Sequence, residues 1–120
     1  MTTQLPAIAE CYVQSVNHHD AASFLTLFDN ETTVMDNGRE FRGLEAIKKW
    51  SDREIFDADV TLEVIDVDIR DGETVVTTKV DGNFDRTGLP DPVIIEHYIS
   101  SRDGKILQLT CRLAVEASKS

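Results

Sequence analysis

Residues 12–36 read YVQSVNHHDAASFLTLFDNETTVMD, and residues 41–50 follow with FRGLEAIKKW. Leu5, Ile8, Tyr12 and Val16 recur at three- and four-residue steps, the spacing of one helix face. Asp20 can cap a second, short helix carrying Phe24, Leu25, Leu27 and Phe28, because its carboxylate can accept from the free amides that follow. Thr32 to Phe41 then reads as two short strands joined by Asn37-Gly38. Asn-Gly is the strongest short hairpin signal, since both turn positions favour positive φ. That two-residue loop sets Asp36 opposite Arg39 and Val34 opposite Phe41. Gly43 opens a third helix, Leu44 to about Phe56, with Leu44, Ile47 and Trp50 inward and Glu45, Lys48 and Lys49 outward.

Beyond this stretch the period becomes two. Ile65, Val67 and Ile69 alternate with Asp66, Asp68 and Arg70, the pattern of a strand wet on one face. Asp71-Gly72 turns the chain into Thr74–Val80, rich in β-branched residues. A polar loop follows from Asp81 to Pro92, then a strand over Val93–Ser100, a turn at Arg102-Asp103-Gly104, and a last strand over Ile106–Leu113. Helices first and antiparallel strands afterwards mark an α+β layer arrangement. The expectation is one domain over residues 1–120, with its core at about 5–113 and a frayed tail at 114–120.

Composition bounds the function classes. A chain of 120 residues with 41% hydrophobic and 28% charged residues is globular and long enough to bury a core. Twelve Lys and Arg against 22 Asp and Glu give a net charge of −10. Nucleic acid and anionic membranes both require a basic surface, so neither is expected as a partner. No apolar run is long enough to span a bilayer, and the first residues lack the pattern of a signal peptide, so the default location is cytoplasmic. Cys11 and Cys111 sit in apolar-flanked stretches and read as buried free thiols in a reducing compartment.

The order helix, helix, hairpin, helix and four long strands resembles the nuclear-transport-factor-2-like superfamily of SnoaL-like and ketosteroid-isomerase-like proteins. Residues 12–36 and 41–50 carry the resemblance, closed by DGKILQLTCRL at residues 103–113. It implies a cone-shaped curved antiparallel sheet with the N-terminal helices packed in its concavity, a cystatin-like roll around an internal pocket. It also implies an apolar small-molecule ligand, no cofactor, and a homodimer built through the sheet.

Within that superfamily the residues are most similar to ketosteroid isomerase at three positions. There a helix-1 tyrosine and a protonated strand carboxyl donate to the substrate oxygen, while an aspartate moves the proton. The resemblance places Tyr12 at the phenol, Asp36 at the base and Glu96, one methylene longer than the family's aspartate, at the second donor. Such a site suits cofactor-independent acid–base chemistry on an apolar carbonyl compound (isomerisation, cyclisation or dehydration), because it offers one base and preorganised donors for an oxyanion. Ile94, Tyr98, Leu109, Cys111, Leu113 and Trp50 are the expected pocket lining. The alternative is a ligand-binding or dimerisation module of the same fold without turnover.

Each candidate has a second reading. Tyr12 lies on an apolar helix stripe, where an aromatic serves the core. Asp36 precedes Asn-Gly, where aspartate is ordinary turn chemistry, and an ion pair with Arg39 competes with its use as a base. Glu96 alternates with apolar neighbours, so it faces away from Ile95 and His97, toward either a pocket or a partner subunit. His97 reads as a core or interface histidine. His18-His19-Asp20 and Asp66-Val67-Asp68 look like metal sites by composition, but helix-end and strand-face chemistry explain both, and no metal is expected.

Overall fold

The computed structural model describes residues 5–85 and 87–114, so the tail expectation at 115–120 lies outside the described residues. Helix α1, Ala7–Asn17, buries Ala9, Tyr12, Val13 and Val16, a stripe at three- and four-residue steps. Leu5 and Ile8 pack only partly against that core, and Leu5 precedes the helix. Cys11 falls on the outward face and is exposed, which corrects the expectation for that thiol; Cys111 is buried. At the end of α1, the Asn17 side chain donates to the Leu62 carbonyl and accepts from the Leu62 amide, at 2.9 and 2.7 Å. This side chain substitutes for a paired strand and pins the helix to the sheet. Asp20 caps α2, Ala21–Leu25, by accepting from the Ser23 amide at 3.1 Å.

Strands β1, Thr33–Asp36, and β2, Arg39–Arg42, form the hairpin in the expected register, with Asp36 opposite Arg39 and Val34 opposite Phe41. Asn37 and Gly38 turn it with φ of 49° and 90°. Asn37 also anchors the turn: its amide donates to the Cys111 carbonyl and its Oδ1 accepts from the Leu113 amide. Helix α3 runs from Leu44 to Ser51 and then widens into a π turn at Asp52–Phe56. The expected helix is therefore present over its full length but changes pitch, and the wider turn sets Glu54 and Ile55 against the interior.

Strands β3 (Thr61–Arg70), β4 (Glu73–Asp81), β5 (Val93–Arg102) and β6 (Lys105–Leu113) complete a six-stranded sheet in the order β2-β1-β6-β5-β4-β3. Neighbours are antiparallel except β1 and β6, which run parallel from Thr33 beside Gln108 to Asp36 beside Cys111. The sheet is thus mixed rather than wholly antiparallel, because β1 arrives from the helices and inserts between β6 and its own hairpin partner. Register shifts at Ile65 in β3 and after Ser100 in β5 bend the sheet around the helices.

The shift at Ile65 also alters which residues are buried. Leu62 and Val64 face Val80 and Thr78, but Ile65 sits in the irregularity and is half exposed, as is Ile69 near the end of the strand. Simple alternation over Ile65, Val67 and Ile69 therefore overstates how much of this strand is buried. The core gathers between helices and sheet around Phe24, Phe28, Ile47, Trp50, Val76, Ile99, Ile106 and Leu109.

Candidate functional site

A cavity of about 280 Å³ opens between α1, the π turn and the inner face of the sheet. Its walls are mainly apolar: Val16, Ile55, Leu62, Val80, Val93 and Ile95 face it, and Phe84 and Leu89 reach it from the loop after β4. Asn37 from the hairpin turn and Asp85 from that same loop also line it, and the other polar groups gather at two places.

The first is the rim, where Asp36, Arg39 and Glu54 meet. The Arg39 guanidinium donates to both carboxylate oxygens of Glu54, at 3.1 and 3.0 Å, and to Asp36 Oδ2 at 2.7 Å. Hydrogen bonds from Arg39 hold the Glu54 carboxyl below the usual range, and those to Glu54 raise the guanidinium in turn. Trp50 also donates its indole N–H to Asp36 Oδ2 at 3.0 Å, while its ring stacks on Phe41. Both of these bonds to Asp36 fall on Oδ2.

The second is the floor. Tyr12 from α1 brings its hydroxyl within 2.9 Å of His97 Nδ1, and the other ring nitrogen of His97 lies 2.9 Å from Thr78 Oγ1. Cys111 Sγ sits 3.7 Å from His97 Nδ1 and 4.0 Å from the phenol oxygen. All four side chains are essentially out of water. Burial pushes His97 down to about 4, so its ring is neutral at neutral pH. Burial, reinforced by the nearby Asp36 charge, pushes the Cys111 thiol up to about 12. Tyr12 is raised well above its ordinary value, chiefly by burial and next by Cys111. The floor therefore holds neutral hydrogen-bonding groups, and a thiol of that kind makes a poor nucleophile.

Of the residues singled out in the sequence, Tyr12, Asp36, Trp50, Cys111 and Leu113 line this cavity. Leu109 shares a strand face with Cys111 and Leu113 but is fully buried in the core beneath. Ile94, Glu96 and Tyr98 stand on the opposite face of β5 and are not among the lining residues, because Val93, Ile95 and His97 alternate inward. Glu96 accepts from the Tyr98 hydroxyl at 2.8 Å, and the Arg112 guanidinium lies over the Tyr98 ring. The structure thus brings Tyr12 and Asp36 to one cavity and turns Glu96 away from it. His97, Arg39, Glu54, Asn37 and Asp85 are the additional polar groups of the lining, and Thr78 stands behind His97. For His97 and Thr78 the available signal was their inward phase on adjacent strands.

A curved sheet closed by helices over one cavity defines the nuclear-transport-factor-2-like class. More narrowly, the chain belongs to the SnoaL-like domain family, whose model matches residues 9–109. No curated protein sequence matches it. Among solved structures it is similar to a Sinorhizobium meliloti protein provisionally described as a polyketide cyclase. The two share 24% identity and a TM-score of 0.79, over 90% of this chain and 95% of the other. A hypothetical protein of Catenulispora acidiphila with a ketosteroid-isomerase-like fold, solved with trimethylamine, is 18% identical with a TM-score of 0.76, over 95% and 90% of the two chains. TerC, co-crystallised with polyporic acid, is 13% identical with a TM-score of 0.72, over 93% and 92%. At these identities the likeness establishes the fold.

Proposed function

We propose that this protein binds a small, mostly apolar molecule whose one polar group meets Tyr12 at the cavity floor. The observation that carries this reading is the composition of the lining: aliphatic walls from six elements converge on a dry cluster of Tyr12, His97 and Cys111. Apolar walls with few polar anchors are the usual design of a small-molecule site.

Trp50, the sole tryptophan, lines the cavity and makes the test direct. Titration with bicyclic apolar ketones and alcohols should change its fluorescence saturably, and Ile95→Phe, which narrows the cavity, should weaken binding at least tenfold. Absence of a saturable change across such a panel would refute the reading.

A second reading adds turnover. Asp36 and Tyr12 face the same cavity, so a carbonyl compound held at the floor places Asp36 as the group that moves a proton next to the carbonyl. Asp36→Asn should then abolish turnover and leave binding intact, and an active Asp36→Asn enzyme removes Asp36 from that role. Pairing of two copies through the outer sheet face, where Glu96, Tyr98 and Arg112 cluster, belongs to the same proposal and is decided by light scattering.

A further inference from the structure

The chain from Thr78 through His97 to Tyr12 holds few protons, and each can be given a destination; the Cys111 S–H, 3.7 Å from Nδ1 and 4.0 Å from the phenol oxygen, is a weak donor beside it. Thr78 has one hydroxyl proton and two neighbours, the Ile95 carbonyl at 3.4 Å and His97 Nε2 at 2.9 Å. A carbonyl can only accept, whereas a ring nitrogen can do either. If Thr78 donates to Ile95, its oxygen accepts from Nε2–H, and a neutral His97 then has a bare Nδ1. That Nδ1 accepts the phenolic proton of Tyr12 at 2.9 Å. Every proton in the chain has an acceptor in this arrangement. In the opposite arrangement Thr78 donates to Nε2 and Nδ1–H donates to Tyr12. Within the protein the phenolic proton is then left with Cys111 Sγ at 4.0 Å, the outer limit of a sulfur contact, until a ligand in the cavity accepts it. Buried donors are strongly selected to be paired, so the first arrangement prevails.

We infer that His97 and Thr78 are positioning residues that fix Tyr12 as a hydrogen-bond acceptor toward the cavity, so that the preferred ligand is an apolar molecule bearing a hydroxyl donor rather than a bare carbonyl. This rests on the proposed apolar pocket, narrows its ligand class to apolar alcohols, phenols or enols, and stands against the second reading, in which the floor holds a carbonyl. An incoming hydroxyl donates to the phenol oxygen without disturbing the chain. A ketone offers no proton, and to be bound by Tyr12 it must either draw the phenolic proton away from Nδ1, leaving that buried nitrogen without a donor, or reverse the tautomer of the imidazole.

Two measurements test this. Ring ¹⁵N chemical shifts of His97 report which nitrogen carries the proton, and the expected result is a protonated Nε2 with a bare Nδ1. Binding of 1-tetralol, 1-tetralone and tetralin, followed through Trp50 fluorescence, is the second. The alcohol should bind about tenfold more tightly than the ketone, the worth of one hydrogen bond. Tyr12→Phe should bring that ratio close to one, and Thr78→Val, which takes away the acceptor for Nε2–H, should lower or invert it. A proton on Nδ1, or a ketone binding as well as the alcohol, overturns the inference while saturable binding leaves the pocket itself standing. Failure of all three compounds to bind removes the pocket reading and this ligand class together, whatever the tautomer.

Discussion

The floor and the rim face the same cavity, but opposite physics governs them. At the floor, Tyr12, Thr78, His97 and Cys111 are dry, and desolvation is the first cause of the large shifts at Tyr12, His97 and Cys111. At the rim, pairing lowers Glu54 and raises Arg39, Asp36 joins them through Arg39, and the Arg39 side chain is 51% exposed. The contrast teaches where selectivity and stability should reside. A dry neutral relay is sensitive to every proton, while a wet ion-pair network is screened by water and salt.

Trp50 ties the rim to the apolar core, so removing it should produce the largest effect. Its ring is buried against Phe24 and Phe41, and its N–H holds Asp36 at the rim. Trp50→Ala should cost about 3–5 kcal/mol in urea unfolding, the usual range for emptying an aromatic site. Trp50→Phe removes the N–H and little volume, and should cost far less. If the two variants lose similar amounts, the rim bond rather than the packing dominates, and the rim is worth more than a screened network should be.

The division between rim and floor was only partly legible in the sequence. Asn37-Gly38 fixes the hairpin register by local turn chemistry, so Asp36 opposite Arg39 could be read directly. The π turn could not, since nothing in residues 52–56 announces a wider pitch. Nor could the irregularity at Ile65, because the alternating pattern runs on through it while the pairing slips. Alternation separates Glu96 from His97, but which of them faces inward depends on the bend of the whole sheet. The contact between Tyr12 and His97 joins residues 85 positions apart, and no local pattern encodes it. What the sequence carried was short-range geometry; what it withheld was the meeting of distant strands and helix.

A pH experiment sharpens the floor side of the comparison. An unfolded histidine titrates near 6.5, whereas His97 in the fold has been pushed down to about 4 by burial. Above pH 6.5 both states are neutral and His97 contributes no pH dependence. As pH falls from about 6.5 toward about 4 the unfolded chain takes up the proton first, so stability declines with falling pH. The full penalty is on the order of 3 kcal/mol. His97→Gln should erase this component, so the gap between wild type and variant should narrow or reverse on acidification. The paired carboxyl of Glu54 loses its contribution lower down, as pH falls below the ordinary range of glutamate. A wild type as stable at pH 4.5 as at pH 7.5 would show that His97 is not the dry, neutral group its burial implies.

The rim should give the smallest effect and the one most sensitive to salt. Arg39 forms two ion pairs, yet its half-exposed guanidinium keeps much of its hydration, so each pair is worth little. Arg39→Met keeps an unbranched aliphatic side chain and removes the charge, together with the guanidinium that lies over the Phe41 ring at 5.6 Å. The expected loss is below about 1 kcal/mol in low salt, shrinking further as ionic strength rises, because exposed charges are screened within about 10 Å at 0.1 M salt. Paired unfolding curves for wild type and variant at two salt concentrations measure it. A loss above about 2 kcal/mol that persists in high salt would mean that Arg39 supports the cavity as a buried charge does, since breaking a truly desolvated pair costs several kcal/mol. Rim and floor would then be one electrostatic unit, and the ligand preference assigned to Tyr12 would have to include the charge state of Asp36.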